Sequence, residues 1–371
     1  MRFPLKNIIL RVLSSLTTFA ALERFTMISS SLYAQYVSLD PVTREPHRTT
    51  PMSRVLPWLI MSVLVALSDI NFAYRLISTL AVTEHLTWMV NVDEMCFMLE
   101  SMEKIRGASD DFGGGTSTLD LIGILLHAQL VFLVTFPFAT CATPILHPSV
   151  DPTAPWLEDA TFLPHPVKIL LRMCLIFLLT WHMCTPIFGF GIKISNVCVI
   201  LRNSLKSMMD HSQSEISQNF KFFTHRKPFY ECLLTYRQLQ IVTIVMNVAL
   251  TWVIPVGILI LFICALGTSY LVVKMSEILS VPLTFLAVTI FTTIVTMAHF
   301  VLPLMAGLLS GSEEFLRWWK LKGGSKHRKK QVASCALLKF NVGGLGCVDG
   351  DTRRIFMAQL LYNTVTLVIT L

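Results

Sequence analysis

The chain has 371 residues, of which 53% are hydrophobic and only 14% charged, with a mean hydropathy of +0.62. A soluble globular chain carries about 25% charged residues, so this composition excludes an ordinary water-soluble domain and favours a bilayer as solvent. The net charge of +7 is not a nucleic-acid footprint, and it gains meaning only once the charges are assigned to loops.

Residues 3–35 are semi-apolar but are broken by Arg11, Glu23 and Arg24, which predicts an amphipathic segment. The opening stretch has no convincing cleavage site, so no signal peptide is expected. Val55 to Arg75 is apolar around Asp69, and 77–103 is a weaker run containing Glu84, Asp93 and Glu94. Intramembrane acids are functional candidates by default, as proton or ion relays, but a place near a helix end or an aqueous cavity is the favoured reading of these. GASDDFGGGTST (107–118) reads as a polar linker.

Four runs carry no Asp, Glu, Lys or Arg: 121–150, 173–192, 238–273 and 278–312. Apolar runs of about 20 residues read as membrane-spanning helices. The last two are long enough to leave the hydrocarbon as helix, and the turn at Lys274 to Glu277 makes them an antiparallel hairpin. Pro255 and Pro303 are expected to kink them. Ser312 to Trp319 reads as the start of a separate cytoplasmic helix, with Glu313 and Glu314 favourable at its N-terminus. The run 355–371 is uncharged and short for a span.

Loop charge sets orientation. Residues 1–54 hold seven Lys/Arg against three acids, 201–239 six against three, and 311–354 ten against four. Residues 147–166 hold no Lys or Arg but include Asp151, Glu158 and Asp159. Seven alternating spans with a cytoplasmic N-terminus put all three basic segments on one side and the acidic loop on the other. The fold class is therefore all-α: a multi-pass membrane helical bundle of seven transmembrane helices in the cell membrane.

No HExxH, GxSxG, paired carboxylates or Cys/His metal spacing occurs, so no catalytic residue, metal or cofactor is expected and the chain is not read as an enzyme. The nine cysteines are expected to be free thiols. Trp181 and His182 sit mid-span before Pro186; they either line a ligand cavity or pack a helix interface. The run KHRKK (326–330) suits anionic lipid headgroups or acts only as a topology determinant. In the final run Gln359, Tyr362, Asn363, Thr364, Thr366 and Thr370 interleave with apolar residues. Such a stripe lines a pore or joins helices.

Here the pattern resembles the arthropod gustatory and odorant receptor superfamily. Members have two long late spans, a basic cytoplasmic segment and a short final helix. That helix carries Thr-Tyr, five mostly apolar residues, then Gln-Phe. In this chain Asn363-Thr364, Val365 to Ile369 and Thr370-Leu371 fall on that spacing, with different residues at both pairs. Upstream, Phe340, Gly344 and Asp349 follow the family's order of aromatic, glycine and acid.

The resemblance implies a tetrameric, ligand-gated cation channel, homomeric or heteromeric, that answers a small organic tastant or odorant. It divides the chain into a cytoplasmic segment (1–54), a helical ligand-binding bundle (55–310), a basic cytoplasmic anchor (311–354) and a final pore-lining helix (355–371). Leu367, Thr370 and Leu371 become pore-lining candidates, with Asn363, and Leu367 or Leu371 is the expected hydrophobic gate. Phe138, Trp181 and His182 are the ligand-binding candidates. The expected surroundings are membrane lipid and partner subunits, with no nucleic acid. A G-protein-coupled receptor shares seven spans but has its N-terminus outside, and its Asp/Glu-Arg-Tyr and Asn-Pro-x-x-Tyr motifs are missing here. A secondary transporter calls for two related halves, which the sequence does not contain.

Overall fold

The computed structural model describes residues 16–32, 37–39, 46–48, 91–111, 120–146, 151, 153, 163–218, 227–274, 281–322, 325–344 and 346–370. The elements in chain order are α1 (Thr18–Leu32), strands β1 (Val37–Leu39) and β2 (Pro46–Arg48), α2 (Val92–Asp111), α3 (Leu121–Cys141), α4 (Thr143–Leu146) and α5 (His165–Gln218). Then come α6 (Lys227–Ala249), α7 (Val253–Lys274), α8 (Val281–Leu321), α9 (Lys326–Ala333) and α10 (Thr352–Thr370). The chain is an all-α, multi-pass membrane helical bundle.

Among the described residues, four stretches are long and apolar enough to cross a bilayer: Leu121–Leu146, His165–Asp210, Val253–Lys274 and Thr284–Leu321. Each overlaps one of the four uncharged runs. The span expected at 55–75 lies outside the described residues, as do 77–90 and the acids Asp69 and Glu84. The rest of the weak span, 91–103, begins a helix that stays polar to Asp111, with Asp93 and Glu94 exposed in its first turn. The helix therefore takes in 107–111, which the sequence reads as linker. α10 is not among the four, because Arg353 and Arg354 open it and its polar stripe dilutes it.

Three helices outrun their predicted bounds. α5 has 54 residues, since neither Pro nor Gly occurs between Ile192 and Gln218 to stop it. α8 has 41 residues and passes through Pro303, so Ser312 to Trp319 continues that helix and does not open a new one. Gly323-Gly324 follow it in sequence, a pair that favours an end there. The single run expected at 238–273 is two helices: α6 starts at Lys227 and the break falls at Leu250–Trp252. Pro255 has no N–H for the Thr251 carbonyl, so the ladder fails at that turn.

The molecule forms two compact units. The first contains α1, α3, α4 and α5 as far as Lys193. Its core joins Ala21, Leu22 and Phe25 of α1 to Leu126, Leu130 and Leu133 of α3 and to Cys184, Phe188 and Ile192 of α5. One carboxylate organises the corner of this unit. Asp120 Oδ1 accepts the Gly123 N–H at 2.9 Å and Oδ2 accepts the Thr18 N–H at 2.9 Å, so it caps α3 and α1 together. A Cβ at Gly123 would overlap the Leu16 carbonyl. A Cβ at Gly189 would meet the Phe25 ring at 2.5 Å, so that glycine lets α1 lie close to α5.

The second unit contains α2, α5 from Ile194, and α6 to α10. Within it α7 packs on α8 and on α10, and α8 also packs on α10 and α9. An aromatic cluster ties α6 to α8: Tyr236 stacks on Phe315 with centroids 5.0 Å apart, and Phe229 meets Trp319 edge-on at 4.9 Å. In α9, Arg328 lies over the Phe229 ring, while Lys326, Lys329 and Lys330 are exposed.

Candidate functional site

The first unit carries a ladder of aromatic rings. Phe177 and Trp181 are four residues apart on α5 and so share a face; their rings stack at 6.0 Å. Phe138 of α3 meets Phe177 at 5.0 Å. The ladder runs inward, from Phe138 at 59% exposed to Trp181 at 3%. Beside it the hydroxyls of Thr140 and Thr180 are 3.1 Å apart. The indole N–H of Trp181 has no hydrogen-bond partner, which leaves one directional donor at the end of an apolar stack.

Two of the three predicted ligand residues, Phe138 and Trp181, thus come together through a third, Phe177. His182 is fully buried, but one residue along a helix is about 100° round it, so its ring leaves the ladder's face. The Phe-x-x-x-Trp spacing at 177–181 was the signal that could have found Phe177. Asp151, read as part of an acidic loop, is buried. It accepts the Thr153 N–H at 2.7 Å and its hydroxyl at 2.6 Å, and pairs with Arg172 of α5.

In the second unit the segment before α10 is hung from α6 and α8 by side chains. Tyr236 OH donates to the Ala336 carbonyl at 2.9 Å. Asn247 holds two residues: its Nδ2 donates to the Lys339 carbonyl at 2.7 Å and its Oδ1 accepts the Asn341 N–H at 2.8 Å. Ser312 Oγ accepts the Leu338 N–H at 3.1 Å. Leu338, Phe340 and Val348 are fully buried, and burial raises the Tyr236 phenol pKa, which keeps it a donor. Val342 N–H donates to the Gly346 carbonyl and Val348 N–H to that of Phe340, pairing 340–342 with 346–348, and Gly343 (φ 54) and Gly346 (φ 129) take left-handed backbone. Asp349 then launches α10, accepting the Thr352 hydroxyl at 2.8 Å and its N–H at 2.9 Å. Those bonds, the hydroxyl first, hold its carboxyl below the usual range.

α10 has three faces. Phe356, Leu360, Thr364 and Leu367 form an inward stripe: Phe356 meets Phe262 of α7 edge-on at 5.7 Å, and the Thr364 and Ser269 hydroxyls are 2.9 Å apart. Leu367 is half-buried. Gln359, Asn363, Thr366 and Thr370, spaced four, three and four, form a polar stripe along one edge. Their bonds are local: Asn363 Nδ2 donates to the Gln359 carbonyl at 2.7 Å, and Thr370 Oγ1 to that of Thr366 at 2.8 Å. Leu361, Val365 and Ile369 form an exposed apolar ridge. Of the predicted pore residues, Asn363 and Thr370 fall on the polar stripe, Leu367 on the inward one, and Leu371 lies outside the described residues. Thr364 thus joins α10 to α7, whereas the edge stripe bonds only within its own helix.

Among the described residues no three His, Cys, Asp or Glu side chains gather into a metal-holding group. No protein-family model matches the sequence, and no curated protein is significantly similar to it. Solved structures are similar in fold. The insect olfactory receptor OR5 from Machilis hrabei, in complex with eugenol, matches with a TM-score of 0.65 at 11% identity, covering 94% of this chain and 98% of that one. The same receptor solved by itself matches with a TM-score of 0.64 at 10% identity, over 93% and 96% of the two chains.

Proposed function

We propose that this chain is a chemoreceptor subunit: a ligand-gated cation channel opened by a small organic odorant or tastant. The observation that carries the reading is the fold, shared along nearly the whole chain with a receptor solved in complex with eugenol. The proposed arrangement has seven spans, a cytoplasmic N-terminus and four subunits in membrane lipid, each lending α10 to a central pore. The polar stripe Gln359, Asn363, Thr366 and Thr370 gives ions a hydrated wall, with Leu367 or Leu371 as the apolar constriction.

The ligand binds against the rings of Phe138, Phe177 and Trp181, with His182 in the wall nearby. An unpaired indole donor beside stacked rings suits a small aromatic molecule with an oxygen acceptor, because leaving the buried N–H unpaired is costly. The test is current recording from cells expressing the chain, with and without a co-subunit, against a panel of small aromatics. Ligand-evoked cation current is the expected result. An N-terminal epitope tag stained on intact cells would overturn the topology. Currents unchanged by polar replacement of both Leu367 and Leu371 would overturn the pore assignment.

A further inference from the structure

The second unit carries its basic helix far from its apolar spans. α7 has 22 residues, about 33 Å of helix, which fills a hydrocarbon layer of about 30 Å by itself. It ends at Lys274 and α8 begins at Val281, so the two share the hydrocarbon from that end. α8 has 41 residues, about 60 Å, so its last turns stand clear of the apolar layer. The ring pairs Tyr236–Phe315 and Phe229–Trp319 lay α6 along those turns. The segment before α10 climbs α6 toward α7, with Ala336 held at Tyr236 and Lys339 at Asn247. α9 precedes that segment and sits at Phe229, through Arg328. From Phe229 to the end of α6 at Ala249 is about 30 Å of helix.

That distance decides between two uses of the basic run. The field of an anionic bilayer falls off within a Debye length, about 8 Å at physiological salt. The headgroups of the chain's own bilayer are several such lengths from α9, so the run is placed to meet a soluble anion.

α9 has a packed face and a charged one. Val332 is buried and Arg328 lies over the Phe229 ring. At about 100° per residue, Lys326, Lys329 and Lys330 share the opposite face, and all three are exposed. Among the described residues none of the three has a carboxylate partner. Their arrangement works against the helix. Lys326 and Lys330 are four apart, where like charges repel. Lys326 and Lys329 lie early in a helix whose first turn holds no acid, and the helix dipole disfavours cations there. A local conflict that the chain leaves uncompensated is expected at functional sites. A multiply charged anion on the lysine face removes it.

We propose that the Lys326, Lys329 and Lys330 face of α9 binds a soluble polyphosphate of the inositol phosphate class. Lysine ammoniums hold phosphate as point charges on flexible stems. Side chains three and four apart on a helix lie about 5–6 Å apart at Cβ, a spacing that phosphates on neighbouring ring carbons bridge. The face is little more than one turn long, which suits a small, densely charged ligand over an acidic protein segment. The inference rests on the proposed topology only for the side of the membrane, the cytoplasmic one, on which α9 meets its ligand.

The experiment uses the full chain in phosphatidylcholine nanodiscs, which leave both faces open, so neither orientation nor ion conduction enters the result. Lysines are acetylated with and without inositol hexakisphosphate, and the adducts are located by mass spectrometry. The expected result is slower acetylation at Lys326, Lys329 and Lys330, with the exposed Lys206 of α5 unchanged. High salt should abolish the protection. This footprint is read on the unaltered chain, so it does not depend on a variant folding. By calorimetry, replacing the three lysines together with glutamine should weaken binding about tenfold, since exposed ion pairs are individually weak and three are lost. Arg202→Gln with Lys206→Gln, which removes charge from α5, should bind as wild type. Equal slowing at every lysine, or unchanged binding by the triple variant, would overturn the proposal. So would equal protection by polyglutamate, which would assign the face to an acidic protein. Protection by phosphatidylinositol bisphosphate in the nanodisc, with none from the free polyphosphate, would assign it to lipid instead.

Discussion

The hydroxyls of Ser269 and Thr364 lie 2.9 Å apart across α7 and α10. Phe262 and Phe356 meet two turns away on the same pair of helices. On this stripe α10 makes both an apolar and a polar contact with α7. Hydrogen bonds between membrane helices contribute about 0.6 kcal/mol on average and about 1.7 kcal/mol at most. Ser269→Ala and Thr364→Val should each destabilise by an amount in that range. A double-mutant cycle on unfolding in detergent should return a coupling of similar size. Strict additivity would show that the two hydroxyls do not share a bond.

Gln129 is only 4% exposed, and neither its amide nitrogen nor its oxygen has a partner. Desolvating an unpaired polar group costs about 1–3 kcal/mol. Gln129→Leu should therefore raise the thermal midpoint of the purified chain. A fall in that midpoint would mean that the amide is satisfied in the membrane by water or a ligand.

Trp181→Phe keeps a ring in the ladder but deletes the indole N–H. A neutral hydrogen bond contributes about 1 kcal/mol, or roughly fivefold in affinity. Agonists with an oxygen acceptor should weaken by that factor in dose–response curves, while pure hydrocarbons keep their potency. Equal losses for both ligand classes would assign Trp181 to packing alone.

The Asp349 carboxyl is held below its usual range by the Thr352 hydroxyl and N–H. A carboxyl with a lowered folded-state pKa stabilises fully above its unfolded value of about 3.9 and loses that contribution as pH falls through the folded value. The melting difference between wild type and Asp349→Asn should be constant at neutral pH and shrink on acidification below about pH 4. A difference that instead changes between pH 6 and 8 would contradict this assignment.

The four apolar spans were legible because membrane insertion is written in composition, and an uncharged run needs no tertiary context to be recognised. Helix ends were harder to read. Propensity alone carries α5 on to Gln218, and α8 passes Ser312 because that side chain bonds back to the Leu309 carbonyl and accepts from Leu338. The ladder was half legible: Trp181 stands out in a sequence, whereas its connection to Phe138 through Phe177 needs the register of two helices. The clamp at Asn247 was invisible, since nothing in an apolar run marks an amide whose partners lie over ninety residues away.

The segment that carries α10 is gripped in an unusual grammar. Tyr236, Asn247 and Ser312 hold this segment through its peptide groups, at Ala336, Leu338, Lys339 and Asn341. Every amino acid offers a carbonyl there, and every one but proline offers an N–H. The grip therefore reads the path of the backbone and is blind to the letters along it. Side chains on this segment can be exchanged freely at its exposed positions while the terminal helix stays hung at the same height.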